Sequence, residues 1–201
     1  MKALFLRVFV LTLLMLVLWY WAAPLLAPPM ALASGHVMHF FFPQWVNGAG
    51  WNGSLLVLFT DLPLSTQGEI RAERFQGYAN MSMLGMGLPF FIALLVASLE
   101  ERMSVGTFTK LLTKVLLGAL LLLPFQIWSV CFTWLVQVLS ERGAYTAQEF
   151  ALHPWQIWLI GLGAQLGKLV FPVLAPILIW LVIEQYPIEK IVANTTQKRI
   201  R

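Results

Sequence analysis

The stretch from Trp155 to Ile183 most constrains the fold, because it is long enough to cross a bilayer and carries a cation near its middle. An ammonium facing lipid at that depth costs at least about 3 kcal/mol, so Lys168 requires a partner, water or the bundle interior. A helical wheel places small and polar residues in an arc of roughly 120° that predicts a packing face. The arc holds Gly161, Ala164, Gln165, Lys168, Pro172, Ala175 and Pro176.

A second small-residue pattern lies beside that arc. Gly163 and Gly167 form a GxxxG spacing outside the arc. No strand precedes these glycines, so the spacing indicates helix packing rather than a phosphate loop.

The composition of the whole chain indicates an integral membrane protein. Of its 201 residues, 59% are hydrophobic and only 11% are charged. The net charge of +4 comes from residues at the ends of apolar segments, which argues against nucleic-acid binding. Cys131 is the single cysteine, so the chain has no internal disulfide and no CxxC metal or redox motif.

The apolar segments predict an all-α integral membrane protein, a four-transmembrane-helix bundle in one membrane domain. The spans are expected at about residues 4–23, 81–99, 115–139 and 155–183. Pro24, Pro28 and Pro29 are expected to end the first helix. The alternative is that residues 1–33 form a cleaved signal peptide.

Between the first two spans, residues 34–80 are too polar for membrane depth and predict a small extracytoplasmic insert. Residues 54–60 and 68–73 are typical of strands, and 61–67 of a turn, which together predict a β-hairpin. Charges alternate along the second strand at Glu69, Arg71 and Glu73, which makes it a candidate partner surface.

The third span also carries a polar face, which predicts helix packing. It comprises Gly118, Gln126, Ser129, Thr133 and Gln137. Equal helical rise on both sides of the following loop predicts that Gln126 lies at the depth of Gln165 and Lys168. Two roles stay open for Lys168: a structural hydrogen bond to Gln126 or Gln137, and a proton or ion relay.

Basic residues predict the orientation. With the N-terminus inside, cytoplasmic segments hold nine of them, at Lys2, Arg7, Arg102, Lys110, Lys114, Lys190, Lys198, Arg199 and Arg201. Only Arg71, Arg74 and Arg142 would lie outside. This bias predicts that both termini are cytoplasmic.

No constellation of residues predicts catalysis, a cofactor or a metal. Cys131 lies within a span, without a nearby His or Asp in sequence. His36 and His39 have helical spacing, but no third ligand is recognisable. Glu100 and Glu101 precede a basic residue at a membrane edge, which is typical of a solvated cap.

Three pieces of the chain carry a resemblance to a known family. They are residues 85–89 (GMGLP), residues 123–128 (LPFQIW) and the stretch from Trp155 through 165–167 (QLG) to Pro172 and 175–176 (AP). These motifs resemble the exosortase H-associated membrane proteins, bacterial inner-membrane proteins found beside a transpeptidase-like sorting enzyme.

The resemblance implies a non-catalytic accessory or scaffold role with membrane lipids and an exosortase as partners. It argues against an exosortase, since those enzymes place an active-site Cys with Arg and His partners at membrane-edge loops, and Cys131 has no such setting. The alternative is a small transporter or channel subunit that uses Lys168.

Overall fold

The computed structural model describes residues 2–66, 69–99, 105–149 and 152–184, and their side chains except at 2–5, 63–66, 69–73, 105–107 and 141–149. Long helices and one small sheet make up this part of the chain. In chain order the elements are α1 (Lys2–Phe41), β1 (Val46–Asn52), β2 (Leu55–Thr66), β3 (Glu69–Asn80), α2 (Met81–Leu84), α3 (Gly87–Ala97), α4 (Val105–Glu149), α5 (Pro154–Gln165), a π-helical turn (Leu166–Val170) and α6 (Phe171–Ile183).

Helix α1 runs for 40 residues and contains three prolines. The prediction that these prolines end the helix near Ala23 is therefore wrong, and residues 34–41 are helical rather than part of the insert. Each proline removes one helical hydrogen bond. Small side chains on the same helix are fully buried, at Ala23, Ala27 and Ala31, so close packing stabilises the continuous helix.

The insert forms three strands rather than a lone hairpin. They are antiparallel in the order β1-β2-β3. The predicted turn at 61–67 instead continues β2 as far as Thr66. Sequence reasoning missed β1 because it holds two glycines, Gly48 and Gly50, which are unusual in strands. Gly53 turns the chain from β1 into β2 with φ +59°, a conformation that favours glycine.

One face of the sheet packs on α1 and α4. This packing stabilises the sheet, whereas an isolated hairpin is only marginally stable in water. The fully buried members of this core include Trp134 of α4, Phe75 of β3 and Met38 of α1. β1 lies close to α1, where a Cβ at Gly35 would come within 2.6 Å of the Ala49 Cβ. The sheet is therefore held firmly against the helices.

The predicted second span is broken into two short helices. Gly85 separates α2 from α3 and lies against the ring of Trp19, leaving no room for a side chain. The indole Nε1 of Trp19 donates a hydrogen bond to the Ser82 carbonyl at 3.1 Å. This apolar segment, Met81–Ala97, is shorter than the three long apolar helices.

Three helices are long and apolar enough to cross a membrane in the part of the chain that the structure describes. They cover Leu6–Phe41, Phe108–Ser140 and Pro154–Ile183. The helix that contains the third predicted span is longer than the expected 115–139. It begins at Val105, in the segment that links it to the second span. It ends at Glu149, inside the loop that the sequence predicts after the third span. The four-helix prediction thus holds in part, as a mostly helical protein with three long apolar helices and a small sheet.

The other end of the bundle, away from the sheet, has its own core and an ion pair. Phe91 and Leu95 of α3 pack with Leu122, Ala175 and Ile179. Beside this core, the Lys114 Nζ of α4 lies 2.5 Å from a carboxylate oxygen of Glu184, just after α6.

Candidate functional site

The polar residues of α4 and α5 meet along one seam. A Cβ at Gly167 would lie 2.8 Å from the Ser129 Cα, and one at Gly163 would collide with the Phe132 ring. The Ser129 hydroxyl donates to the Gly167 carbonyl at 2.9 Å, and the Trp128 Nε1 donates to the Gly163 carbonyl at 3.1 Å. Both glycines therefore serve close packing, and each carbonyl accepts a hydrogen bond from the neighbouring helix.

A π-helical turn at Leu166–Val170 divides the predicted packing arc. Ala164, Ala175 and Pro176 are buried, whereas Gln165 and Lys168 are exposed. The predicted arc therefore does not pack as one face on the described part of this chain. A π turn holds more residues than an α turn, so the faces before and after it point in different directions. Gly163 and Gly167 pack on α4, and Ala175 and Ile179 after the turn pack with Phe91 and Leu95 of α3.

We give the name outer face to Gly161, Gln165 and Lys168, because Gln165 and Lys168 are exposed and Gly161 has open space beside it, whereas Gly163 and Gly167 are buried. A Cβ at Gly161 would meet no atom within 4 Å. Neither Gln165 nor Lys168 takes part in a side-chain hydrogen bond or ion pair with any residue that the structure describes. The described part of the chain leaves the outer face uncovered.

Gln126 is buried, one turn from the level at which the sequence places it. Ser129 is level with Gly167, so Gln126 lies beside Phe171 rather than Lys168. With Phe171 and Pro172 it lines a cavity of about 10 Å³, roughly the room that one water needs. No hydrogen bond joins it to Lys168 among the described residues, and Lys168 is exposed whereas Gln126 is buried.

Gln137 is bound to the sheet rather than to Lys168. Its Oε1 accepts from the Tyr78 backbone N–H at 2.7 Å, and its Nε2 donates to the Tyr78 carbonyl at 2.6 Å. The side-chain amide thus satisfies the outer edge of β3 at this residue, as a neighbouring strand would. α4 and the sheet are fastened together here.

The candidate partner surface lies at the far end of β3. Glu69 pairs with Thr66 and Arg71 with Leu64 in the β2–β3 ladder. The side chains of Glu69, Arg71 and Glu73 fall outside the described ones. Next to them, the Arg74 guanidinium and the Asp61 carboxylate form an exposed ion pair at 2.7 Å.

The remaining reactive side chains have local backbone partners. The Cys131 thiol is buried between α4 and α1, 3.7 Å from the Ser34 carbonyl. The Nδ1 atoms of His36 and His39 each donate to a backbone carbonyl at 2.7 Å. No group of three potential metal ligands occurs within the described ranges.

Sequence reasoning missed the groups that join distant parts of the chain. Trp19, Trp128 and the Lys114–Glu184 pair make such contacts. The tryptophans resemble membrane-interface residues in sequence, and Lys114 and Glu184 are 70 residues apart. The sequence offers one signal for this ion pair, because Lys114 and Glu184 each lie at the end of an apolar segment.

Comparison with known proteins identifies a family but no individual relative. The chain has no significant match among curated proteins or among solved structures. The model of the exosortase H-associated membrane proteins matches residues 1–186, which include the sheet and every described helix. The chain therefore belongs to the exosortase H-associated membrane protein family.

Proposed function

We propose that this protein is a non-catalytic accessory or scaffold subunit of an exosortase-type protein-sorting system in a bacterial inner membrane. The observation that carries the proposal is the family match over residues 1–186. The family name links the chain to exosortase H, and three apolar helices supply the membrane location. The proposed partners are then an exosortase and the lipids of the membrane.

The setting of Cys131 supports a non-catalytic role. A sulfur nucleophile must become a thiolate and must reach its substrate. This thiol is enclosed between α1 and α4, with the Ser34 carbonyl as its hydrogen-bond partner. A transport role for Lys168 gains no support, because the residue lies on the outside of the helices rather than along an internal path.

We further propose four spans with both termini cytoplasmic, the segment α2–α3 being the fourth. The excess of basic residues in the assigned cytoplasmic segments supports this orientation. Alkaline phosphatase fused after Gln67 is expected to be active, and the same enzyme fused after Lys198 inactive. The reverse pattern would overturn the orientation.

Two measurements test the accessory role. Crosslinking in native membranes followed by purification of this protein is expected to recover the exosortase. Processing of a substrate with a C-terminal sorting signal is expected to fall when the protein is deleted and to recover with Cys131→Ala. The triple variant Glu69→Ala, Arg71→Ala and Glu73→Ala is expected to restore processing less well. If Cys131→Ala abolishes processing at normal protein levels while the triple variant is fully active, the role is enzymatic.

A further inference from the structure

Lys168 is exposed and lies near the middle of the apolar span Pro154–Ile183. Exposed Trp158 and the Lys114–Glu184 ion pair lie 26 residues apart along α5–α6, about 39 Å at helical rise, which is close to the thickness of a bilayer with its headgroups. Lys168 is ten residues from Trp158 and 16 from Glu184, hence about 15 Å and about 24 Å from these levels. Both are longer than an extended lysine side chain, so snorkelling does not bring the ammonium to either level.

Intramembrane charges in folded proteins face a bundle interior or water and pair with one another. Lys168 does neither within the described chain, since it is exposed and makes no ion pair there. Lys168 therefore lacks a counter-charge in the part of the chain that the structure describes.

The sequence of a second copy offers no acidic residue inside an apolar segment. All nine lie outside the long apolar segments 6–41, 108–140 and 154–183 and the shorter segment 81–97. They are Asp61, Glu69, Glu73, Glu100, Glu101, Glu141, Glu149, Glu184 and Glu189. This distribution favours a carboxylate of a different protein as the partner of Lys168.

The outer face also has the shape for a close helix. Gly161 has open space beside it, Gln165 follows one helical turn later, and Lys168 in the π-helical turn is exposed as Gln165 is. Small residues let helix backbones approach, and an amide beside the lysine offers a further hydrogen bond.

We propose that the outer face binds a transmembrane helix of another protein that carries an Asp or Glu near the bilayer centre. The inference deepens the proposed accessory role, because it assigns the subunit a membrane-embedded contact for its partner. Lys168 supplies the charge, Gln165 a second polar contact and Gly161 the room.

Full-length protein in phosphatidylcholine vesicles tests the proposal without an exosortase. The probe is a synthetic helix of about 20 leucines and alanines with a central Glu, Gln or Leu, and association is measured by energy transfer. The Glu peptide is expected to associate about tenfold more strongly than the Leu peptide. Lys168→Leu is expected to remove the preference and Lys168→Arg to keep it. Lys110→Leu, an exposed basic residue near the start of α4, is the matched control and is expected to change nothing.

Three results would overturn the proposal. The first is equal binding of the Glu and Leu peptides, and the second is a preference that survives Lys168→Leu in protein that elutes normally from a sizing column. The third is a Lys168-dependent effect seen only with phosphatidylglycerol, or only as transfer between two labelled copies of the protein, which would assign the face to lipid or to self-association. Each leaves the accessory role standing, because no exosortase is present in the vesicles.

Discussion

The two faces of α5 and the π turn contain similar residues but have different surroundings. Gly163 and Gly167 meet α4 at contact distance, and their carbonyls accept hydrogen bonds from Trp128 and Ser129. A Cβ at Gly161 would meet no atom within 4 Å, and Gln165 and Lys168 are exposed without a side-chain partner among the described residues. Polar groups without partners are costly in lipid. The contacts of Gly163 and Gly167 therefore stabilise the bundle, whereas Gln165 and Lys168 on the outer face still require a polar partner.

Glycine substitutions should show the largest difference in stability between the two faces. Gly167→Leu puts a branched side chain where a Cβ already comes within 2.8 Å of the Ser129 backbone, and we expect a loss of about 3 kcal/mol in the free energy of unfolding. Gly161→Leu is the matched control and should not destabilise the monomer. Thermal unfolding in detergent, followed by tryptophan fluorescence, measures both. Equal losses would show that the outer face is also packed within the chain.

Two glutamines give the next largest contrast. Gln137→Leu removes the side-chain partner of the exposed Tyr78 N–H and carbonyl at the sheet edge and should cost about 0.5–1.5 kcal/mol. Gln165→Leu should have an effect within about 0.5 kcal/mol. Hydrogen exchange at the Tyr78 amide reports the change directly. If the Tyr78 amide exchanges no faster in Gln137→Leu, then the Gln137 side chain does not protect it and the proposed contact between α4 and β3 is wrong.

The smallest effect concerns ion pairs. Lys114→Glu should destabilise by about 1 kcal/mol, and adding Glu184→Lys should restore stability, because this pair is partly buried at 37% and 16% side-chain exposure. The Arg74–Asp61 pair is 68% and 45% exposed, so Arg74→Ala should change little. Chemical unfolding of these three variants and of the unchanged protein measures the differences. If the double variant is no more stable than Lys114→Glu, the Lys114–Glu184 ion pair does not contribute to stability as we propose.

Sequence patterns identified the membrane class, the family and most of the apolar segments, because hydropathy and length constrain them directly. The end of α1 was not predictable in this way, because proline is a helix breaker only when packing does not compensate, and Ala23, Ala27 and Ala31 pack here. Strand β1 was missed for a similar reason, since its glycines fit a close approach to α1.

Sequence patterns grouped the polar residues of the site correctly by helix but not by direction. A wheel of 100° per residue assumes an uninterrupted α-helix, and the π turn at Leu166–Val170 breaks that assumption. For Lys168 the sequence leaves two roles open, a hydrogen bond to Gln126 or Gln137 and a proton or ion relay. In the structure Gln137 binds Tyr78 and Lys168 faces outward.

The most direct test of the account is site-specific photocrosslinking in membranes that contain the exosortase. A photoreactive residue replaces Leu162, on the exposed side of α5 near Gln165, or Leu120, an exposed apolar residue of α4. The account predicts an adduct with the exosortase from Leu162 that disappears with Lys168→Leu, and none from Leu120. Adducts from Leu120 alone, or an adduct from Leu162 that is indifferent to Lys168, would contradict it.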